Sequence, residues 1–141
     1  KEKLIEISIE RNKYFEKICK FIKKNGGIFL TIDYGYFGNI KNFTLQALQN
    51  HKFSHVLEDI GKKDISSHVN FKDFIDIATK YKLRIDDYCS QKEFLTKYGI
   101  LERKEKLINA NNSEKINNQV KRLIDDNAMG KLFKCLIVSN L

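Results

Sequence analysis

The chain has 141 residues, of which 42% are apolar and 11% aromatic, and this is enough for one domain with its own core. It carries 26 Lys and Arg against 18 Asp and Glu, for a net charge of +8. The basic residues are spread among acidic ones without a dense block, so the composition does not favour nucleic-acid binding. No apolar run approaches the roughly 18 residues of a membrane span, and we expect no membrane insertion.

The cysteines and the start of the chain bear on its compartment. Cys19, Cys89 and Cys135 are odd in number and widely spaced, which is typical of reduced thiols. No basic segment followed by an apolar one opens the chain, so nothing indicates secretion. We therefore expect a cytoplasmic protein. Because the chain starts at Lys1 and enters a helix almost at once, we also expect a fragment, with residues 1–141 forming a single partial domain.

The first predicted elements are a helix and a strand joined by glycines. Apolar residues recur at helical spacing from Ser8, and Gly26 can end that helix. Residues 28–33 are apolar or β-branched without alternation until Asp33, which is typical of a strand covered on both faces. Parallel sheets carry their chemistry at the carboxyl ends of strands, so the turn Asp33-Tyr34-Gly35 is the first site candidate.

Residues 36–70 are harder to interpret. We predict a short helix over 44–48 and an irregular connection over 51–67. A connection of this length is uncommon unless it is functional or packed as a lid.

The second half of the chain alternates helices with two more strands. Asn70 begins a helix, 83–89 alternate as in a half-exposed strand, and 132–138 form a second strongly apolar strand. Ser90 and Glu93 form a capping box that starts the next helix. Further helices are predicted over about 101–110 and from about 116 to near Gly130. The order of elements indicates an α/β fold with three strands and about five helices.

Other candidate residues give weak signals. His51 and His55 would share one face of a helix, but no third ligand or His-Glu-x-x-His pattern accompanies them, so we expect no metal site. Cys89 is most simply a small buried thiol. The acidic pairs at 86–87 and 125–126 are most simply solvated surface.

Asp33 has two interpretations. An acid at the end of a buried strand costs desolvation energy unless a partner or ligand compensates, which indicates function. The alternative is an Asp-mediated turn that closes onto the amide of Gly35. The residues alone do not decide between them.

Several of these motifs together resemble a known family. Gly26-Gly27 and an apolar strand ending in Asp33-Tyr34-Gly35 resemble the strand and turn of the MidA-like methyltransferases, the family of the mitochondrial complex I assembly arginine methyltransferase and its bacterial relatives. Residues 64–71, Asp-Ile-Ser-Ser-His-Val-Asn-Phe, resemble the family's Asp-Leu-Thr-Ala-His-Val-Asp-Phe. Further matching positions are 44–47, His51, 56–57, Gly61, Gln91, 93–95, 99–100, Arg103, 129–130 and 132–134.

The resemblance implies the C-terminal third of a Rossmann-like class I methyltransferase that uses S-adenosylmethionine. The family's Gly-x-Gly cofactor loop and first four strands would precede this chain, so we expect the chain alone to bind no cofactor. The three strands would be the fifth, sixth and seventh, forming a mixed 5-7-6 sheet edge. Strand 28–33 would then be a bare edge, open to a homodimer or to a complementing N-terminal half.

The implied function is that of the C-terminal portion of a protein-arginine methyltransferase, inactive alone, whose substrate is a protein such as a respiratory complex I subunit. Asp33, Tyr34, Gly35, His51, Asp64 and His68 would line the substrate cleft, and the carboxylates of Asp33 or Asp64 are suited to orient a guanidinium. The alternative is a non-catalytic interaction or dimerisation module from a split or decayed gene. A basic nucleic-acid binder is a third and weaker interpretation.

Overall fold

The computed structural model describes residues 4–50, 52–109 and 111–141. Its helices are α1 (Ile9–Asn25), α2 (Phe71–Lys80), α3 (Gln91–Lys97), α4 (Ile100–Leu107), α5 (Ser113–Ile124) and α6 (Met129–Leu132). Its strands are β1 (Gly27–Tyr36), β2 (Gln46–Gln49), β3 (Lys52–Ser54), β4 (Asp64–Ser66), β5 (Val69–Asn70), β6 (Arg84–Ser90) and β7 (Phe133–Asn140). None of the described helices is both long and apolar enough to cross a bilayer.

The main sheet has four strands in the order β5-β1-β7-β6. β7 is antiparallel to both β1 and β6, and the Leu136 position lies opposite Thr31 on one side and Tyr88 on the other. β5 is parallel to β1 and pairs only with its last two residues, Gly35 and Tyr36. The predicted α/β class, with a mixed sheet and about five helices, is confirmed, and β5 is a strand that the sequence did not reveal.

The core lies between the main sheet and the helices α1 and α2. Phe15 of α1 stacks on Phe74 of α2 with ring centroids 4.1 Å apart, and Phe71 at the start of α2 is fully buried. Leu136 and Val138 of β7 complete this layer. Full burial of each such side chain stabilises the fold by about 1.5–3 kcal/mol, so this layer holds α1 and α2 on the sheet.

The other face of β1 is open. Side chains alternate along a strand, and Phe29 packs against the core while Ile28, Leu30 and Ile32 remain 61%, 45% and 39% exposed. The prediction that this strand is covered on both faces is therefore wrong for the described chain. A run of apolar residues shows that a strand is suited to two covered faces, but it does not show which covering layers are present.

The connection between β1 and α2 also differs from the prediction. Residues 46–49 form β2 where we expected a helix, and they pair with β3 and β4 in a separate three-stranded sheet. Asn50 after β2 has a φ of 51°, which suits the tight turn of a hairpin. The predicted helix covered only five residues, 44–48, and a segment of this length is too short for periodicity to separate a helix from a strand.

The helices predicted to begin at Asn70 and Ser90 are confirmed, and α4 lies where a helix was predicted over 101–110, but the helix predicted to end near Gly130 is divided into α5 and α6. Ser90 and Glu93 form both bonds of the capping box: the Ser90 amide donates to Oε2 of Glu93 (2.8 Å), and the Glu93 amide donates to Oγ of Ser90 (3.3 Å). The buried Gln91 donates from Nε2 to the carbonyl oxygen of Leu123 at 2.9 Å, which ties α3 to α5. α3 and α6 both contact β6 and β7, and these contacts place the two helices on the main sheet.

Candidate functional site

The candidate site lies at the carboxyl end of β1, where β5 and the start of α2 meet the strand. Gly35 pairs with Val69, and a Cβ atom at position 35 would lie 2.5 Å from Cδ2 of Phe71. Only glycine therefore lets Phe71 pack directly against the strand. Residues 33–35 belong to β1 itself, so the predicted turn at this position is wrong.

Asn70 closes the loop after β1 onto the beginning of α2. Its Oδ1 accepts hydrogen bonds from the backbone amides of Gly38 (3.0 Å) and Lys72 (3.2 Å), and its Nδ2 donates to Oδ1 of Asp73 (2.9 Å). The bond from Gly38 holds the loop after β1, and the bond from Lys72 caps the N-terminus of α2. One side chain therefore fixes the relative position of the loop and the helix.

The carboxylate of Glu6, in the segment before α1, binds Thr44 in the loop after β1. Oε1 of Glu6 accepts from the backbone amide of Thr44 at 2.6 Å, and Oε2 accepts from the Thr44 hydroxyl at 2.5 Å. Oγ1 of Thr44 in turn accepts from the His68 amide at 2.9 Å. Nη1 of Arg11 donates to the His68 carbonyl oxygen at 3.3 Å, so both backbone groups of His68 are held in place.

The pKa of Glu6 reflects these contacts. Burial raises the pKa of this carboxyl, but the hydrogen bonds from Thr44 and Leu45 and the charge of His68 outweigh burial and bring it below its ordinary value of 4.5. The charged form of Glu6 is therefore stabilised by folding. Glu6 and Thr44 together act as a clasp between the N-terminal segment and the residues before α2.

Replacing Glu6 with alanine is expected to lower the free energy of unfolding by about 2 kcal/mol, because the amide and hydroxyl donors of Thr44 lose a charged acceptor. Urea denaturation followed by circular dichroism measures this change. The exposed Glu10 provides the control, and its change to alanine should cost much less. Equal losses for the two variants would contradict the clasp.

The same clasp predicts a dependence of stability on pH. Since the folded-state pKa of Glu6 is lowered, its stabilisation is complete above the ordinary value of 4.5 and is lost as the pH falls through the folded value. We expect Glu6→Gln to lose stability at pH 6 but to approach the wild type at pH 3. Chemical denaturation at both pH values tests this, and a constant difference between them would rule it out.

Aromatic side chains line the open side of the site. The rings of Tyr34 and His68 are stacked at 5.9 Å with an interplanar angle of 15°, and the Phe133 ring lies 4.1 Å from Tyr34. Tyr34 is 39% exposed, so this aromatic group presents a face to solvent. Stacked rings of this kind can bind planar or cationic groups.

A cavity of about 160 Å³ adjoins the end of β1, between the N-terminal segment and α2. Glu6, Tyr36 and Asn70 are among its lining residues. Burial, reinforced by the charge of Glu6, raises the pKa of Tyr36 above its ordinary value, so its hydroxyl stays protonated at neutral pH. The cavity therefore offers a hydroxyl donor beside a carboxylate.

The remaining predicted site residues lie elsewhere. Asp33 is exposed, lies opposite Lys134, and accepts a hydrogen bond from the amide of Tyr34 at 2.8 Å, where the turn hypothesis expected the amide of Gly35. Asp64 is exposed in β4 opposite Leu48, in the three-stranded sheet. His51 lies outside the described residues. The structure thus brings together Tyr34, Gly35 and His68, while Asp33 and Asp64 are exposed.

Sequence reasoning missed the clasp. Glu6 and Thr44 are 38 residues apart, and the chain offered only a lone acid in the alternating segment Leu-Ile-Glu-Ile-Ser-Ile at 4–9. Within 4–50, 52–109 and 111–141, no group of three or more His, Cys, Asp or Glu side chains is placed to hold a metal ion.

The cysteines have the properties of inert thiols. Cys19 and Cys135 are buried, and burial raises the pKa of the Cys19 thiol to about 11 and that of Cys135 to about 12. Burial, followed by the charges of Asp87 and Glu93, raises the pKa of Cys89 to about 11. Since the thiolate is the reactive form, we expect all three to react with Ellman's reagent at pH 8 far more slowly than in the unfolded chain. A single fast-reacting thiol in the native protein would contradict this expectation.

Comparison with known proteins places the chain in a family. A family model of S-adenosyl-L-methionine-dependent methyltransferases matches residues 1–89. The chain is 32% identical over 136 residues to the Drosophila melanogaster protein arginine methyltransferase NDUFAF7 homolog, mitochondrial, covering 94% of this chain and 31% of that protein. The Caenorhabditis elegans homolog is 31% identical over 103 residues, covering 73% and 24%. The chain belongs to the MidA-like S-adenosylmethionine-dependent methyltransferase family.

Solved structures share the fold of this chain. An uncharacterized protein from Burkholderia thailandensis superposes with a TM-score of 0.85 at 22% identity, covering 95% of this chain and 38% of that one. A second B. thailandensis structure, bound to S-adenosyl-homocysteine, gives a TM-score of 0.79 at 23% identity and covers 92% and 35%. The chain thus spans less than two fifths of each structure and no more than about a third of each curated relative.

Proposed function

We propose that the chain is the C-terminal portion of an S-adenosylmethionine-dependent protein-arginine methyltransferase. The observation that carries this proposal is the 32% identity over 136 residues to a protein arginine methyltransferase of which the chain spans 31%. In this proposal β1, β6 and β7 are the fifth, sixth and seventh strands of a larger sheet. The methyl acceptor is an arginine of a protein substrate, for which a respiratory complex I subunit is our candidate.

The cofactor is held mainly by residues outside this chain. The cluster at the carboxyl end of β1 supports this proposal, because its described residues offer aromatic faces and structural hydrogen bonds and include no Gly-x-Gly cofactor loop. Tyr34 and His68 then line the substrate side of the cleft, where a guanidinium could stack on their rings. We further propose a cytoplasmic location, supported by the three free thiols.

Isothermal titration calorimetry with S-adenosylmethionine and S-adenosyl-homocysteine tests whether the cofactor is held by residues outside this chain. We expect no heat of binding for this chain at concentrations up to about 100 μM, since micromolar affinity needs a substantially complete site. The B. thailandensis protein whose structure holds S-adenosyl-homocysteine serves as the positive control. Micromolar binding by this chain alone would show that it carries the cofactor site.

A second candidate function is a non-catalytic interaction module. The open apolar face of β1, formed by Ile28, Leu30 and Ile32, favours it because such a surface is typical of an interface. Light scattering at rising protein concentration examines this alternative. A strict monomer at several hundred micromolar would argue against a self-associating module.

A further inference from the structure

Two of the three cysteines lie directly opposite each other in the main sheet. In the antiparallel pairing of β6 with β7, Cys89 is the partner of Cys135. Residues that are opposite each other in such a pair have their side chains on the same face, and their Cα atoms are about 4.5–5.5 Å apart. A disulfide needs Cα atoms about 4.4–6.8 Å apart, so the strand pairing already meets this requirement.

The surroundings of the two thiols agree with this placement. Cys135 is buried and Cys89 is half-buried. Burial, followed by the neighbouring Cys89, raises the pKa of the Cys135 thiol to about 12, and the second cause indicates that the two side chains are close. Among the described residues, no third His, Cys, Asp or Glu joins them in a group that could hold a metal ion. The pair is therefore a dithiol and not part of a metal centre.

The third cysteine lies on the other side of the sheet. Cys19 of α1 belongs to the core that also contains Leu136 and Val138 of β7. Because side chains alternate along a strand, the side chain of Cys135 lies on the face opposite to that of Leu136. The sheet thus separates Cys19 from the other two thiols, and Cys89 is the partner that the fold gives to Cys135.

We propose that Cys89 and Cys135 form a modification site at which a hydroperoxide produces an intrachain disulfide. The half-buried Cys89 reacts first: its thiolate sulfur takes the OH group of the hydroperoxide, the O–O bond breaks, and the leaving oxygen takes up the thiol proton as an alcohol or water. The thiolate of Cys135 then attacks the sulfur of the Cys89 sulfenic acid. The S–O bond breaks, the S–S bond forms, and the hydroxide leaves with the second proton as water. Two thiols are oxidised and one hydroperoxide is reduced.

The disulfide would constrain the helical segment 91–132. Cys89 lies just before α3 and Cys135 just after α6, so the bond ties together the two places where this segment leaves and rejoins the main sheet. A cross-link of this kind stabilises a protein mainly by removing conformational freedom from the unfolded chain, and we expect the oxidised form to have a Tm about 10 °C higher than the reduced form. The raised pKa values of the thiols slow the first step and leave its product unchanged.

Hydrogen peroxide added to the reduced full chain at pH 8 tests this inference. After proteolysis without reductant, mass spectrometry should find the peptides of Cys89 and Cys135 joined, and dithiothreitol should separate them. Cys19→Ala is the matched control and should keep both the joined peptides and the rise in Tm on oxidation. Cys135→Ala should lose both.

Three outcomes overturn the inference: both thiols stay unoxidised, Cys89 proceeds to the sulfinic acid without a link, or the link joins Cys19 or a second molecule. Circular dichroism of each reduced variant verifies that it is folded, and the peptide mapping of the unsubstituted chain decides the matter even if a variant is not. An unchanged Tm in the linked chain would contradict the constraint on segment 91–132. These measurements use neither cofactor nor methyl acceptor, so their outcome is independent of the proposed function.

Discussion

Replacing Gly35 with alanine is expected to lower the free energy of unfolding by about 3 kcal/mol, at the upper end of the usual cost of overpacking a core. The added Cβ would lie 2.5 Å from Cδ2 of Phe71 and 3.0 Å from the carbonyl oxygen of Val69. Both neighbours are buried and cannot move aside without shifting α2 or β5. For a chain of this length the loss corresponds to a fall of about 10 °C in Tm.

A double-mutant cycle isolates the contact with Phe71. Phe71→Ala alone should cost about 3–5 kcal/mol, because it leaves a cavity between Phe74 and Tyr88. Adding Gly35→Ala to that variant should then cost less than about 1 kcal/mol, since the ring that it would strike is gone. Additive effects in the cycle would mean that the ring is not the obstacle.

Gly130→Ala is expected to cost a similar amount, about 3 kcal/mol, for a different reason. Here a Cβ atom would lie 2.6 Å from the carbonyl carbon of Ile124 and 2.8 Å from the carbonyl oxygen of Asp125, so the obstacle is backbone. The Gly130 amide also donates to the Asp125 carbonyl oxygen at 3.0 Å, and this bond would have to lengthen. α6 would move away from the end of α5.

Hydrogen exchange and thermal unfolding together test this prediction. The loss of protection should be greatest in α5 and at the start of β7, which follows α6 without a loop. Asn127→Ala is the control, because its side chain is exposed two residues before Met129. A Gly130→Ala protein with unchanged Tm and exchange would show that the two helices can separate at little cost.

The features that local chemistry determines were predictable from the sequence. Ser90 and Glu93 predicted the start of α3, and the apolar run at 132–138 predicted β7. Both signals depend on residues that are neighbours along the chain. The three-stranded sheet was not predictable, since each of its strands has only three or four residues. Family likeness, and not periodicity, indicated the methyltransferase relationship.

The candidate site was predictable only in part. Gly35 and Tyr34 could be located because they end an apolar strand, and His68 because it lies in a segment with a family likeness. The clasp of Glu6 on Thr44 could not be located. These residues are 38 positions apart, and they meet only because β1 and the loop after it return the chain to the N-terminal segment. Asp33 is exposed although it lies on the face of β1 that also carries Phe29, and the sequence pattern could not show this.

The position of β7 in the sheet has a consequence for folding during synthesis. β7 joins β1 to β6, yet Leu30 and its partner Ile137 are separated by most of the chain. β7 must therefore emerge from the ribosome before β1 and β6 can enter one sheet, and until then both remain available to wrong partners. Non-local pairing of this kind also slows folding. The nascent chain is thus expected to depend on chaperones until β7 has emerged.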